Sequence, residues 1–209
     1  MINHAEIYGY LFSTVRGYYA TMDGCHDTEH FDEVFNAAQS IAKHLELTPD
    51  EKLIVLISAA YHDVGRLIED KRHEEFSVTI FNNDRNMRRW LTRDERQIVS
   101  NTINEHRSSK GASSIYSKIL KDADKIGSID RDRLITRVVR YNIDHCDLDQ
   151  TDPAFIPTVT KKVTERLGKL KSNRGWQLDA TRELYGEKPT HTIPDENEVV
   201  MYIEKNLRR

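Results

Sequence analysis

The stretch LIVLISAAYHDVG, residues 53–65, is an apolar run that ends in a histidine, an aspartate and a glycine. Because the run is apolar nearly all round, it predicts a helix that is buried on every side. Gly65 is available to terminate that helix. A buried carboxylate without a partner is very costly, so the pair His62-Asp63 requires one. A metal ion is one candidate, and an ion pair with Arg66 at the helix end is the other.

The sequence also predicts where this helix begins. Thr48-Pro49-Asp50-Glu51 provides an N-cap threonine, a proline at the first helical position and a glutamate that can complete a capping box. Thr92-Arg93-Asp94-Glu95 repeats the capping pattern and predicts a helix that runs through Ile98 and Ile103 to His106. Both candidate ligand segments therefore lie at the ends of predicted helices.

Composition favours an all-α chain. The 209 residues include only 9 glycines and 5 prolines, so long stretches lack residues that break helices. A formal net charge of −3 excludes a broad electrostatic footprint for duplex nucleic acid, although it allows a local basic pocket. The longest apolar run is far too short to span a bilayer. Two cysteines, Cys25 and Cys146, lie far apart and predict free thiols, and we expect a cytoplasmic protein without a signal peptide.

Periodicity predicts further helices along the chain. His30, Val34, Ala38, Ile41 and Leu45 step by three or four residues and share one helical face. In residues 3–20, Ile7, Leu11, Phe12 and Val15 are expected on one face, and in residues 73–81 we expect Phe76, Ile80 and Phe81 to point inward. The remaining predicted helices cover residues 115–126, 129–143, 154–171, 175–185 and 195–208, with a charged loop at 66–72 and a connection bracketed by Pro189 and Pro194.

Several other residues are candidate ligands. His30 begins an inward-facing stripe, which suits either a ligand or a core histidine. His73 lies at a helix N-terminus, where the helix dipole disfavours a cation and a neutral imidazole ligand fits better. Asp122 and Asp124 point apart because they are two residues apart on a helix, and we choose Asp124. Nitrogen and oxygen donors of this kind suit a borderline or hard divalent cation.

The segment Arg107-Ser108-Ser109-Lys110-Gly111 follows the candidate ligand His106. Its two cations, two hydroxyls and glycine are suited to hold a phosphate, and an ordinary solvated loop explains the same composition equally well. The other histidines, His4, His44, His145 and His191, lack a supporting context, and we expect them to be surface or packing residues.

Three segments together resemble the HD-domain superfamily of metal-dependent phosphohydrolases: HDTEHFDEV at 26–34, YHDVGR at 61–66 and DADKIGSI at 122–129. The resemblance covers roughly residues 24–130. It implies a compact helical bundle in which His30, His62, Asp63 and Asp124 bind a metal ion. HEEFSVTIF at 73–81 and INEHRSSKG at 103–111 are similar to a subset of the superfamily that holds two ions. That similarity implies that His73 and His106 are ligands of a second metal or direct phosphate contacts.

The resemblance implies hydrolysis of a nucleotide or other small phosphate ester by a metal-activated water. One or two divalent ions are expected, and the sequence does not distinguish Mn, Fe, Mg, Co, Ni or Zn. Asp63 would orient the water and His26 would act as general acid. Positively charged residues would contact the substrate: Lys125 in catalysis, and Arg66, Arg107 and Lys110 as phosphate-binding residues.

Two alternative functions stay open: a di-iron oxygenase on the same scaffold and a non-catalytic nucleotide-binding module. The expected partner is a small phosphorylated molecule, with neither a membrane nor duplex nucleic acid, and the sequence is compatible with a homo-oligomer. We expect a metal-binding HD-domain-like core at residues 1–145. Residues 146–209 would form a C-terminal helical extension packed on the same domain.

Overall fold

A computed structural model of the protein describes residues 4–107, 109–171, 175–187 and 191–208. These residues form helices joined by loops and include no strand, which confirms the predicted all-α fold. The α-helices are α1 His4–Tyr10, α2 Arg16–Tyr19, α3 Thr28–His44, α4 Pro49–Tyr61, α5 His73–Asn83, α6 Arg85–Trp90, α7 Arg93–Glu105, α8 Ile115–Ala123, α9 Arg131–Asp144, α10 Phe155–Lys171, α11 Asp179–Tyr185 and α12 Glu196–Leu207. Short 3₁₀ turns cover Val64–Leu67 and Ile126–Ser128, and a π-helical stretch covers Leu11–Val15.

The chain divides into two compact units. The first unit comprises the described residues of Met1–Met22, His26–Ile126 and Trp176–Gly186. The second comprises those of Asp23–Cys25, Gly127–Gly175 and Glu187–Arg209. This division does not coincide with a boundary after residue 145, because α9 packs with α10 and α12 in the second unit.

Helix α4 forms the centre of the first unit. Every residue from Leu53 to Tyr61 is buried, and the helix packs against α3, α7 and α8. Full burial of one large apolar side chain contributes roughly 1.5–3 kcal/mol, so this run is a main source of the stability of the unit. The predicted capping box is present: Thr48 Oγ1 accepts from the Glu51 amide, and the Glu51 carboxylate accepts from the Thr48 amide. The second predicted box, at Thr92 and Glu95, opens α7 in the same way.

Helix α3 carries the predicted stripe. His30, Val34, Ala38 and Ile41 are buried, as the three- and four-residue spacing requires. The helix begins at Thr28, because the Asp27 carboxylate accepts hydrogen bonds from the amides of Glu29 and His30. His26 therefore precedes the helix.

The N-terminal helix is less regular than its periodicity suggests. The α-helical hydrogen bonding is interrupted by the π-helical stretch Leu11–Val15. Ile7, Leu11 and Val15 are buried as expected, whereas Phe12 is 46% exposed. Phe12 lies one residue beyond Leu11 and so points to another side of the helix. The expectation that it shares the buried face was wrong.

Helix α5 lies unusually close to the turn that follows His62-Asp63. A Cβ atom on Gly65 would be 2.0 Å from the His73 carbonyl oxygen and 2.5 Å from the Ser77 nitrogen, so only glycine fits here. The Ser77 hydroxyl accepts from the Gly65 amide and donates to the His62 carbonyl. His73 and Ser77 occupy the inward face of α5 with Phe81, and for this reason the predicted inward residues Phe76 and Ile80 are only partly buried.

The second unit has its own apolar core. Helices α9, α10 and α12 contact one another around buried side chains, namely Ile135, Val138, Val139, Phe155, Val159, Val163, Leu167, Val199 and Ile203. Arg131 pairs with both oxygens of Glu198 at 2.7 and 3.0 Å. The predicted helices at 129–143, 154–171 and 195–208 match α9, α10 and α12 closely.

The predicted helix at 175–185 is shorter in the structure, since Gly175–Leu178 is not helical and α11 begins at Asp179. Pro189 lies outside the described residues, and Pro194 directly precedes the N-cap of α12, Asp195. Within the described residues, neither Cys25 nor Cys146 forms a disulfide bond. Within the described ranges, no helix combines the length and the apolar composition needed to cross a bilayer.

Candidate metal centre

The predicted ligands lie at helix ends. His30 is in the first turn of α3, His73 is the first residue of α5, and His62, His106 and Asp124 directly follow α4, α7 and α8. Because these positions belong to different helices, their side chains can converge on one point from different directions. The six predicted ligands form two groups in the first unit.

The first cluster consists of His30, His62 and Asp124. Asp124 Oδ1 lies 3.4 Å from His30 Nε2 and 3.6 Å from His62 Nε2. The two imidazole Nε2 atoms are 3.3 Å apart. Both histidines are buried, whereas the side chain of Asp124 is 31% exposed.

The second cluster consists of Asp63, His73 and His106, all buried. The Nε2 atoms of His73 and His106 are 3.1 Å apart. Asp63 Oδ1 lies 3.3 Å from His73 Nε2 and 3.7 Å from His106 Nε2. This cluster therefore has the same composition as the first: two imidazoles and one carboxylate.

Asp63 lies between the two clusters. Its Oδ1 atom faces the second cluster, and its Oδ2 atom lies 3.3 Å from His62 Nε2 and 3.5 Å from His30 Nε2 in the first. One carboxylate thus presents one oxygen to each group. This is the geometry expected of a carboxylate that bridges two cations.

The backbone fixes which nitrogen of each imidazole faces the centre. Nδ1 of His62 lies 2.8 Å from the Ala59 carbonyl, and Nδ1 of His73 lies 2.8 Å from the Asp70 carbonyl. Nδ1 of His106 lies 2.6 Å from the carbonyl of Ile103. A carbonyl only accepts hydrogen bonds, so Nδ1 carries the proton and the lone pair of the neutral ring lies on Nε2. Lone pairs only 3.1 Å apart, as in His73 and His106, repel each other unless a cation lies between them.

This arrangement fits a divalent metal ion. Metal-binding histidines almost always donate their second ring N–H to a carbonyl or carboxylate, as these three do. Two imidazoles and a carboxylate in each cluster suit a borderline or hard cation. The donor set does not select one metal among these.

The charges of the cluster shift several pKa values. Burial lowers the pKa of His62, but the carboxylates of Asp63 and Asp124 outweigh it and raise the pKa to about 10. Burial also raises the pKa of Asp63, yet Arg66 and His62 hold it well below its usual range. Burial lowers the pKa of His73 to about 4, with Arg66 and His106 acting in the same direction. The pKa values of His62 in the first cluster and His73 in the second are thus shifted in opposite directions.

Arg66 supplies the ion pair that the sequence offered as an alternative to a metal. Its Nε atom lies 2.9 Å from Asp63 Oδ1, and its guanidinium also contacts the Asp70 carboxylate. The side chain is only 16% exposed. Arg66 and imidazoles of both clusters contact the same carboxylate, so the ion pair with Arg66 does not separate Asp63 from the other candidate metal ligands.

His26 precedes α3 in the chain and lies near Asp63. Its Nε2 atom lies 4.0 Å from Asp63 Oδ2, and its ring centre is 5.8 Å from that of His30. Lys125 follows Asp124 directly and is partly buried. Burial raises the pKa of the neighbouring Asp122, and the charge of Lys125 opposes this only in part. Asp122 itself points away from the clusters and accepts hydrogen bonds from the Gln177 and Leu178 amides and the Thr181 hydroxyl.

The structure also places residues near the site that the sequence did not single out. Arg107 and Lys110 each approach the buried carboxylate of Glu74, and Lys121 donates to backbone carbonyls of the same loop. Ser108 of the predicted phosphate loop lies outside the described residues. Behind His62, the hydroxyl of Tyr19 donates to the Ala60 carbonyl and is 3.3 Å from His62 Nδ1. No local pattern in the sequence marks these contacts, because each joins residues distant along the chain.

The four remaining histidines make other contacts. His4 pairs with Asp50 at 2.9 Å, and His44 pairs with Glu183 at 2.7 Å. His145 stacks on Tyr141, and His191 donates to the Ser128 carbonyl.

Comparison with protein families gives a match over the segment that contains both clusters. Residues 28–128 match the family model of the HD domain. No curated protein and no solved structure matched the chain.

Proposed function

We propose that the protein is a metal-dependent phosphohydrolase. The reason is that, through residues 28–128, the chain belongs to the HD-domain superfamily. The substrate would be a nucleotide or another small phosphate ester. The net charge of −3 supports a small anion held by local basic groups rather than duplex nucleic acid.

The observation that carries this proposal is the position of the Asp63 carboxylate, with one oxygen toward each cluster. His30, His62, Asp63 and Asp124 would hold a first divalent ion, and Asp63, His73 and His106 a second. A divalent ion bound there would lower the pKa of a water molecule toward neutrality and so supply the nucleophile.

The residues of the chain would orient the reactants and move protons. Asp63 would fix the position of the attacking water. His26 lies within 4.0 Å of Asp63 Oδ2 and would donate a proton to the leaving oxygen as general acid. Lys125 would contribute positive charge beside Asp124.

Arg107 and Lys110 are the proposed phosphate contacts. Their side chains are 45% and 35% exposed, so an anion can reach them from solvent. Arg66 is a poorer candidate, since its side chain is only 16% exposed and pairs with both Asp63 and Asp70. We propose that Arg66 mainly fixes the orientation of Asp63.

The test is hydrolysis by the purified protein, reconstituted separately with each candidate metal, on a panel of nucleotides, cyclic dinucleotides and simple phosphate esters. Asp63→Asn keeps the size of the side chain and removes the charge shared by both clusters. We expect at least a ~100-fold loss of activity together with loss of bound metal, since even residues behind the ligands affect metal affinity about 10–100-fold. Glu75→Gln, at an exposed carboxylate, is the control.

Two results would overturn the proposal. One is no turnover of any phosphate ester with any metal, and the other is full metal occupancy in Asp63→Asn. Tight nucleotide binding without turnover would instead support the non-catalytic nucleotide-binding module.

An oxygenase with two iron ions is the second candidate, because the presence of two similar clusters joined by one carboxylate suits that chemistry as well. The two functions differ in their need for oxygen. Activity that is lost under anaerobic conditions, with an iron absorption band that changes with redox state, would favour the oxygenase.

A further inference from the structure

Two buried charges of opposite sign contact the segment that follows His106. Glu74 is 3% exposed, and its Oε1 atom lies 3.3 Å from both Arg107 Nη1 and Lys110 Nζ. Lys121 is 4% exposed, and its Nζ donates to the Arg107 carbonyl at 2.9 Å and to the Lys110 carbonyl. Glu74 therefore binds the side chains of Arg107 and Lys110, while Lys121 binds their backbone.

We propose that Glu74 and Lys121 are positioning residues that fix His106, and with it the second metal cluster. The inference rests on the proposed second metal site. It concerns residues that touch neither substrate nor metal in the arrangement described above, and that act through the backbone next to a ligand.

The Glu74–Arg107 ion pair can act on both imidazole ligands of the second cluster because each of its members is next to one of them in the chain. Glu74 directly follows His73, and Arg107 directly follows His106, so the Glu74–Arg107 pair joins the residues next to the two imidazole ligands. Those imidazoles place their Nε2 atoms 3.1 Å apart, an arrangement that favours separation when no cation is bound. The Glu74–Arg107 pair opposes this separation and keeps the two rings in place for the ion.

Lys121 connects the same segment to the first cluster. It belongs to α8, whose end carries Asp124. A buried ammonium is costly unless it is hydrogen-bonded, and here two backbone carbonyls accept hydrogen bonds from it. The spacing of His106 relative to Asp124 therefore depends on Lys121.

A purely structural role would affect both clusters equally through general loss of stability. A positioning role affects the second cluster alone. The two roles can be separated by measuring how many metal ions bind and how tightly, alongside the thermal unfolding midpoint.

The experiment compares Glu74→Gln with Glu75→Gln. The two substitutions are identical and adjacent, but Glu75 is exposed and pairs with the exposed Arg72. Mn²⁺ binding to the full-length protein is measured by calorimetry and elemental analysis. We expect Glu74→Gln to weaken binding of the second ion about 10–100-fold and to leave the affinity for the first ion unchanged. Glu75→Gln should bind both ions like the wild type.

A second pair of variants tests the backbone contacts. Lys121→Met removes the donor from α8, and Lys118→Met changes a less buried lysine of the same helix. Hydrogen–deuterium exchange of residues 106–111 without metal should increase in Lys121→Met and in Glu74→Gln, and remain at the wild-type rate in both controls.

Each outcome decides the inference. Unchanged second-ion affinity and unchanged exchange in Glu74→Gln and Lys121→Met would overturn it. Loss of both ions, or a general loss of the unfolding transition, would also overturn it in favour of a structural role. If the wild type binds a single ion, the proposed second metal site fails. In that case, the inference that Glu74 and Lys121 fix the position of His106 stands only if exchange at residues 106–111 rises in Glu74→Gln and Lys121→Met. If exchange does not rise, this inference fails as well.

Discussion

The surroundings of His62 shift its pKa far above the ordinary value of a histidine. Its pKa of about 10 means that the metal-free protein carries a proton on this buried ring at neutral pH, held by Asp63 and Asp124. His73 has the opposite behaviour, with a pKa of about 4, so its ring is neutral at the same pH. His62 in the first cluster and His73 in the second therefore differ in protonation at neutral pH before metal binds.

This difference predicts proton release when metal binds. A histidine must be neutral to bind a metal ion, so loading the first cluster at pH 8 should release about one proton from His62, while loading the second should release none from His73. Calorimetric titration with Mn²⁺ in buffers of different ionisation enthalpy measures this number. His62→Gln should abolish the buffer dependence. A binding enthalpy independent of buffer in the wild type would contradict the prediction.

The same pKa values predict how the stability of the metal-free protein depends on pH. The pKa of His62 is raised above the unfolded value of 6.5, so its contribution is fully present below pH 6.5 and is lost as pH rises toward about 10. The pKa of His73 is lowered to about 4. Between pH 6.5 and 4 the unfolded chain therefore binds a proton that the folded chain does not, and stability falls as pH falls.

We therefore expect the unfolding midpoint, measured in the presence of a chelator, to be highest near pH 6.5 and to decline on both sides. The decline on the acid side continues as the carboxyl groups of Asp63 and Asp124, whose pKa values are lowered, become protonated. A midpoint that rises steadily from pH 7 to 9.5 would show that His62 is not protonated in the folded protein.

Single residues also show what could be predicted from the sequence. Helix geometry predicts that Asp122 and Asp124 point apart, and the resemblance to the HD-domain superfamily agrees with the choice of Asp124. In the structure the two side chains do point to different neighbours. Glu74 and Lys121 could not be chosen in this way. Each is an ordinary charged residue in its local sequence, and its importance arises from contacts with residues more than ten positions away.

At the level of helices, local signals were sufficient where capping and periodicity agree. The threonine–glutamate boxes set the starts of α4 and α7, and these helices end at His62 and His106. The π-helical stretch Leu11–Val15 was not predictable, because its sequence also fits an ordinary amphipathic helix. The late start of α11, at Asp179, could not be predicted either, because the amides of Gln177 and Leu178 donate to Asp122, which is distant along the chain.

The contact between Gly65 and α5 leads to a prediction for the element that carries His73. In Gly65→Ala the new Cβ would overlap the backbone of His73 and Ser77, so α5 must shift. We expect a loss of about 3 kcal/mol in the free energy of unfolding, measured with urea, together with weaker binding of the second metal ion.

Gly17→Ala is the matched control for this substitution. Nothing lies within 4 Å of a Cβ at Gly17, which is in α2, so alanine there should stabilise the protein by up to about 1 kcal/mol. If Gly65→Ala were as stable as the wild type and kept both ions, the close approach of α5 would have no energetic importance.

For the whole molecule, the two compact units show why a division at residue 145 was a natural prediction from the sequence. The candidate ligands end at Asp124, and the chemistry of the chain thins out beyond it. Yet Trp176–Gly186 belongs to the first unit, and the buried Asp122 carboxylate receives three hydrogen bonds from it. Sequence alone does not reveal a segment that returns to an earlier core after fifty residues.

A chain that ends after residue 145 tests this organisation. It would leave the buried Asp122 without those three donors, and an unsatisfied buried polar group costs about 1–3 kcal/mol. It would also expose the apolar face of α9, where Ile135, Val138 and Val139 are covered by residues after 145. We expect a lower unfolding midpoint than that of the full chain, and aggregation at concentrations where the full chain stays in solution.

A second chain that ends after residue 126 separates the two effects. It lacks the donors to Asp122 but has no α9 to expose, so it should unfold at a low midpoint and aggregate less than the chain ending at 145. Scanning calorimetry and light scattering measure the two properties. A chain ending at residue 145 that unfolds cooperatively at the full-length midpoint would show that Trp176–Gly186 contributes little. The part of the protein that carries both histidine clusters would then be stable without the rest of the sequence.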